Sequence, residues 1–357
     1  MYIFNPEHDM CLANGSPHYV PPASAMEFGS DCASITKIME GLELNGGAGN
    51  LHNKIIPWGW NSVLTKRLRL LGYPDSLLPS ENDIALIRRL SGRELSVKAL
   101  EFLHEALPCG LPAVEIPVIA NSKECVLKTI NRVGRAVLKA PLSGSGKGLR
   151  WIDGSLSESD AGWCCNVIDK QGYIVVEPRY DVFLNCAMLF RCDESIDFAG
   201  YSLFKTVNGA YHSNVLASDE FLESQIAITV GVERLIAVRE AISSFLEKHF
   251  LGKYYGYLGV DQFIFKKDNN YFLNPVVEIN VRMTMGLLAR NLFDRHLRGI
   301  TGEDSVSGRS IFSVEYRKER GVLLSEFGAE RCTHEPYCIP LTSIGDSTKY
   351  AIIITRE

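Results

Sequence analysis

A multidomain protein of mixed α/β and α+β class is what this sequence predicts, and three observations carry that expectation. The chain has 357 residues, more than a single hydrophobic core usually serves. Short β-type runs alternate with longer helical patterns along most of its length. Late in the chain, residues 276–282 read as a strand whose polar members, Glu278, Asn280 and Arg282, fall at every second position. Successive side chains of a strand point to opposite faces, so these three are expected to project together while Val277, Ile279 and Val281 face a core.

Taken in order, Tyr2, Ile3 and Phe4 form a short strand candidate leading into a polar loop, and residues 54–57 form a second. Residues 63–71 have helical spacing, and Gly72 just beyond them suits a helix stop. Ser80, Glu81 and Asp83 precede an apolar run beginning at Ile84, the pattern of a capped helix start with an acidic first turn. A further helix over residues 94–107 ends at a Pro- and Gly-containing segment, 108–112, so a boundary is expected near 110–120. Residues 173–177 and 182–190 are strand candidates broken by Pro178, and 221–250 is a helical region interrupted at Gly231. After a polar stretch at 301–310, residues 311–316 and 351–355 are β-rich and are expected to return to cover a sheet.

Composition narrows the function classes. A formal net charge of −5 gives no electrostatic reason to expect nucleic acid. No apolar stretch approaches the roughly 20 residues of a membrane span, and the first residues lack the features of a signal peptide, so a cytosolic protein without a membrane partner is expected. The ten cysteines are scattered, with Cys164 and Cys165 adjacent and no Cys-x-x-Cys pair, which favours reduced thiols. Cys332, His334 and Cys338 have a zinc-like spacing but no evident fourth ligand.

The polar face of the late strand suits a particular chemistry. A carboxylate and an amide oxygen match a hard divalent cation, and the neighbouring guanidinium matches a phosphate. Upstream, an apolar strand over 136–140 delivers Lys139, and Ser143, Gly144, Ser145, Gly146, Lys147 and Gly148 form a loop whose backbone amides can wrap phosphate oxygens. This loop is not a Walker A motif, because Pro141 and Gly148 stand where Gly and Ser or Thr are required. Nor does it fit the dinucleotide fingerprint, whose third glycine comes one residue later.

The order of Arg93, Lys139 with its glycine loop, residues 174–178, Asp261 on 257–263, and Glu278 to Arg282 resembles the ATP-grasp superfamily over roughly residues 90–290. That resemblance implies an ATP-grasp fold behind a Rossmann-like pre-ATP-grasp domain. It divides the chain into an N-terminal domain at 1–115, a small subdomain with the glycine loop at 116–180, and a large subdomain with the metal site and a β-rich extension at 181–357. It also implies ATP with Mg2+ or Mn2+, small carboxylate and amine substrates, and a carboxylate–amine ligase working through an acylphosphate. A kinase, a carboxylase and a non-catalytic nucleotide-binding regulator stand as alternatives, and a homodimer is compatible with all of them.

Carried over residue by residue, the resemblance places Arg93 and Lys139 on ATP phosphates, although the superfamily usually has lysine where Arg93 stands. A solvated helix-start arginine is the competing account of Arg93. The hinge Glu177, Pro178 and Arg179 is implied to meet the adenine, with backbone groups of Glu177 and Arg179 reading its edge, Asp181 the ribose and Lys205 the γ-phosphate, a strand-start turn aspartate and a plain surface lysine being the alternatives for the last two. Asp261, Glu278 and Asn280 are implied metal ligands, a structural salt bridge to Arg282 being the rival explanation for Asp261. Arg282 is the expected catalytic residue, a fixed cation where negative charge builds on oxygen. Substrate selection falls by location to residues 5–9, a loop at 208–214, Thr284 and Gly286. His212 reads as a surface loop residue, and Trp58 and Trp60 read as core aromatics or a stacking surface.

Overall fold

The computed structural model describes residues 1–40, 42, 55–108, 110–143, 148–207, 209–297, 310–316 and 338–356. The first layer holds β1 (Tyr2–Ile3), α1 (His8–Asn14), α2 (Ala23–Asp31), α3 (Thr36–Met39), β2 (Ile56–Pro57), α4 (Ser62–Leu70), α5 (Glu81–Leu90) and α6 (Arg93–Ala106). Strands β1 and β2 pair in parallel. Local chemistry sets the helix starts. Asn61 caps α4 by accepting from the Leu64 N–H at 2.9 Å, and Ser80 and Asp83 form a reciprocal capping box on α5.

A four-stranded antiparallel sheet follows, built from β3 (Val118–Ala120), β4 (Arg135–Lys139), β5 (Leu149–Asp153) and β6 (Ile174–Pro178) in the order β3-β6-β4-β5. Helices α7 (Lys123–Val133) and α8 (Glu158–Gln171) cover it, and Val126, Ile130, Leu138, Cys164 and Val176 form a core of their own. The two residues Arg179 and Tyr180 lead directly into the larger sheet.

Among the described residues that larger sheet has eight strands. Its members are β7 (Asp181–Cys192), β8 (Ile196–Val207), β9 (Ala210–Leu216), β10 (Gly256–Lys267), β11 (Asn270–Asn280), β12 (Ser310–Tyr316), β13 (Cys338–Pro340) and β14 (Tyr350–Arg356), in the order β11-β10-β7-β8-β9-β12-β14-β13. Helices α9 (Asp219–Val230) and α10 (Val232–Phe250) are separated at Gly231, whose φ of 85° is costly for any residue with a Cβ. Together with α6 they bury one face of the sheet around Leu100, Leu103, Phe190, Val238 and Phe245. On the other face α11 (Met285–Leu292) packs with Phe4, Ile35, Met39 and Trp58 of the N-terminal layer. The turn from β10 to β11 is a two-residue hairpin, Asp268 and Asn269, with φ of 48° and 61°, a conformation that Asp and Asn tolerate best after glycine.

Several expectations need correction. The expected loop at 208–214 is largely strand β9, paired with β8 and β12. The C-terminal strands extend the sheet edge to edge beside β9 and do not cover it. Strand β11 ends at Asn280, so Arg282 projects from the bend that follows, outside the alternation that places Glu278 and Asn280. A register shift between Asp261 and Phe263 also breaks the simple alternation of β10, and Gln262 there is buried, its amide donating to the Pro275 carbonyl at 2.9 Å. The cysteine and histidine of the zinc-like group, Cys332 and His334, lie outside the described residues.

Candidate active site

Adjacent strands β10 and β11 place Asp261 directly opposite Glu278, and Gly259 opposite Asn280. Cross-strand partners lie close enough for like charges to repel. Burial, and then the Glu278 charge, push the Asp261 carboxyl up to about 7, against the pull of Asn280, Arg282 and Arg93. The Asn280 amide donates to Asp261 Oδ2 at 3.0 Å.

Helix α6 closes the outer edge of β11. The Ile279 N–H, on an edge strand, donates to Ser96 Oγ at 3.0 Å, and one turn earlier Arg93 Nη2 meets Glu278 Oε2 at 3.0 Å. Arg93 is a helix-start residue, but it is only 5 % exposed, which removes the solvated-arginine account. Its Nε donates to the Ala140 carbonyl at 3.0 Å and its backbone N–H to the Pro141 carbonyl at 3.1 Å. One guanidinium thus ties the segment after β4 to the carboxylate of β11.

Arg282 does not bridge to Asp261. Its Nε and Nη2 donate to the two oxygens of Asp9 at 2.8 and 2.9 Å, and its Nη1 donates to the Met283 carbonyl at 3.0 Å. Burial alone would raise the Asp9 carboxyl, but the guanidinium of Arg282, with His8 and Arg93, holds it below the usual carboxylate range. Asp9 belongs to α1, which is set in place by its neighbour His8. The His8 ring is buried against Gly59, where a Cβ would lie 2.5 Å from a ring carbon, and 3.3 Å from the Asn61 amide. Burial lowers His8 to about 4, so the ring is neutral at pH 7. Asn5 completes the seat by donating to the Gly59 carbonyl at 2.9 Å.

These elements line a small cleft whose walls include His8, Asp9, Ser91, Ser143, Glu278 and Asn280. Ser143 therefore reaches the site, while Gly144, Ser145, Gly146 and Lys147 lie outside the described residues. Deeper in the four-stranded sheet, Lys139 forms a buried ion pair with Glu177 across β4 and β6. A lysine on an apolar strand needs such a partner.

The remaining expected residues are more dispersed. The Arg179 N–H donates to the Arg135 carbonyl at 2.9 Å, so it is committed to the sheet and not open to an adenine edge. The Arg179 side chain binds Asp153, and Pro178 ends β6. Asp181 is exposed at the start of β7, and Lys205 is exposed on β8. Thr284 caps α11 by accepting from the Leu287 N–H, and Gly286 allows close packing on Ser202. Trp58 belongs to the core. Sequence reasoning named Asp9 only by location and did not pair it with Arg282, because the two are 273 positions apart.

The donor set fits a hard cation. Three carboxylates, Asp9, Asp261 and Glu278, face two guanidinium groups, and Asp261 is the one without a guanidinium partner. No group of three or more His, Cys, Asp or Glu residues forms a metal cage among the described residues. Bound Mg2+ would thus take Asp261, Glu278 and the Asn280 oxygen together with ligand and water oxygens, the usual habit of this ion.

No protein-family profile matches the sequence, and no curated protein matches it either. Solved structures do. An N5-carboxyaminoimidazole ribonucleotide synthetase in its ADP complex is 13 % identical, with the match covering 100 % of this chain and 91 % of that one at a TM-score of 0.52. The corresponding synthetase from Thermus thermophilus is 15 % identical over 100 % of this chain and 94 % of that chain, with a TM-score of 0.47. A biotin carboxylase from Campylobacter jejuni is 13 % identical over 85 % and 71 %, with a TM-score of 0.48. The first match spans both chains almost completely, and at such low identity it speaks to architecture alone: the chain has the ATP-grasp fold.

Proposed function

We propose that this protein is an ATP-dependent carboxylate–amine ligase that uses Mg-ATP to activate a carboxylate as an acylphosphate, which an amine then captures. The observation that carries the reading is the opposed pair Asp261 and Glu278, joined by Asn280 and flanked by Arg93 and Arg282, on this fold. We divide the chain accordingly at 1–115, 116–180 and 181–357.

In this reading the two buried cations Lys139 and Arg93, each held by a protein carboxylate, turn toward phosphate oxygens. Lys139 leaves Glu177, and Arg93 shares Glu278 with the nucleotide. Asp261, Glu278 and Asn280 hold the metal, which when bound neutralises phosphate oxygens. Arg282 supplies fixed positive charge to the transferring phosphoryl group, and Lys205 reaches the same group from β8. Asp181 takes the ribose hydroxyls. No side-chain nucleophile is needed.

Incubation with ATP, Mg2+ and pools of carboxylic acids and amines tests the reading. Release of ADP and phosphate with formation of an amide is the expected result. A phosphorylated acceptor without free phosphate would make the protein a kinase, and turnover that requires bicarbonate would make it a carboxylase. Nucleotide binding without any turnover would leave a regulator.

A further inference from the structure

We propose that Asp9 is a positioning residue, which holds the Arg282 guanidinium so that its remaining N–H donors are fixed for the terminal phosphoryl group. The inference rests on the Mg-ATP reading above and assigns a role to the N-terminal segment within that site. A guanidinium has five N–H donors. Three are used among the described residues, two by Asp9 and one by the Met283 carbonyl, which leaves one on Nη1 and one on Nη2. These two terminal nitrogens make the planar fork that suits a phosphoryl group.

Arg282 needs outside support to hold that fork. It follows the last residue of β11 and lies in a bend, so no sheet ladder fixes its backbone. Asp9 is well placed to supply the support, because α1 is anchored against both Gly59 and Arg88. His8 is buried against Gly59, Asn5 bonds the Gly59 carbonyl, and Arg88 Nε donates to the Leu12 carbonyl at 2.7 Å. Asp9 itself lines the cleft beside Glu278 and Asn280.

The test compares Mg-ATP with Mg-ADP by titration calorimetry, with melting temperatures measured in parallel. Asp9→Asn keeps the shape and loses the charge, and Asp9→Glu keeps the charge but moves the carboxylate by a methylene. Both are expected to bind Mg-ADP within about twofold of the parent and Mg-ATP about tenfold more weakly, as Arg282→Lys should. The double variant Asp9→Asn with Arg282→Lys should bind Mg-ATP no more weakly than Arg282→Lys alone, because the two residues act as one unit. Unchanged Mg-ATP affinity in the Asp9 variants overturns the proposal, as do additive losses in the double variant. Equal weakening of both nucleotides, or failure of both Asp9 variants to fold, also overturns it, by making Asp9 part of the scaffold. A parent protein that binds neither nucleotide overturns the Mg-ATP reading itself, a result distinct from all of these.

Discussion

A cation met by a carboxylate from a distant part of the chain recurs at the residue scale, in Lys139 with Glu177, Arg93 with Glu278, and Arg282 with Asp9. Such pairs gain little over apolar residues when intact, but breaking one leaves a desolvated charge. This changes what Glu278→Gln should do. From the sequence alone, loss of a cleft-facing carboxylate is expected to leave the fold intact. With Arg93 almost fully buried against it, the substitution should cost about 1–3 kcal/mol, read as a lower denaturant midpoint. Adding Arg93→Met should recover part of that loss, and Asn280→Ala, which strips no guanidinium of its partner, should cost less. An unchanged midpoint in Glu278→Gln would show that the Arg93 pair carries no stability.

His8 makes a second residue-scale prediction. Its folded value of about 4 lies below the ordinary 6.5, so between those limits the unfolded chain binds more protons than the native one. Its contribution is therefore complete above pH 6.5 and is lost as the pH falls toward 4. A shift of this size corresponds to roughly 3 kcal/mol. Asp261 opposes it, since a carboxyl raised to about 7 weakens the fold as the pH rises from its ordinary 3.8. The two slopes overlap, so the measurement is the difference between the parent and His8→Gln in urea unfolding at pH 4.5 and 7. Acidification should destabilise the parent more than the variant, and equal slopes would mean that His8 takes up its proton over the same pH range in the folded and the unfolded chain.

Among the elements, those with a local signature were legible. The serine and acidic residues at the start of α5 announced its cap, Gly231 announced the break between α9 and α10, and the alternating polar positions of β11 announced Glu278 and Asn280 as neighbours. Strands β8 and β9 were not, because β8 has apolar residues on both of its faces and β9 carries polar residues such as Ser213 and Asn214 that are buried by pairing and packing across the sheet. Arg282 was legible as a charged residue near the site but not as a partner of Asp9, since no local pattern links a helix start to a bend so far along the chain. Gly59 shows the same limit, its role becoming clear only with the His8 ring beside it. A Cβ there would approach the ring to 2.5 Å, so Gly59→Ala should force α1 away from β11 at a cost of about 1–3 kcal/mol. Chemical denaturation measures the cost, and a neutral effect would mean that the His8 ring moves freely.

For the whole molecule, three bodies of structure converge on one cleft. The N-terminal layer brings His8 and Asp9, the segment between β4 and β5 of the four-stranded sheet brings Ser143, and the eight-stranded sheet brings Glu278 and Asn280. A ligand seated there touches all three, so its binding energy is available to the native state and absent from the unfolded chain. Stabilisation then follows RT ln(1 + [L]/Kd), about 2.7 kcal/mol at a hundredfold excess of ligand over Kd. For a chain of this length that should appear as an upward shift of a few degrees in the thermal midpoint with Mg-ATP. Magnesium alone should shift it less, because the cluster offers only two carboxylates and an amide before phosphate oxygens arrive. Asp261→Asn should reduce the part of the shift that depends on magnesium while leaving most of the effect of metal-free ATP, which separates the proposed metal ligands from the proposed phosphate-binding cations. Identical midpoints with and without millimolar Mg-ATP, in a protein shown to be folded, would remove nucleotide binding from this cleft.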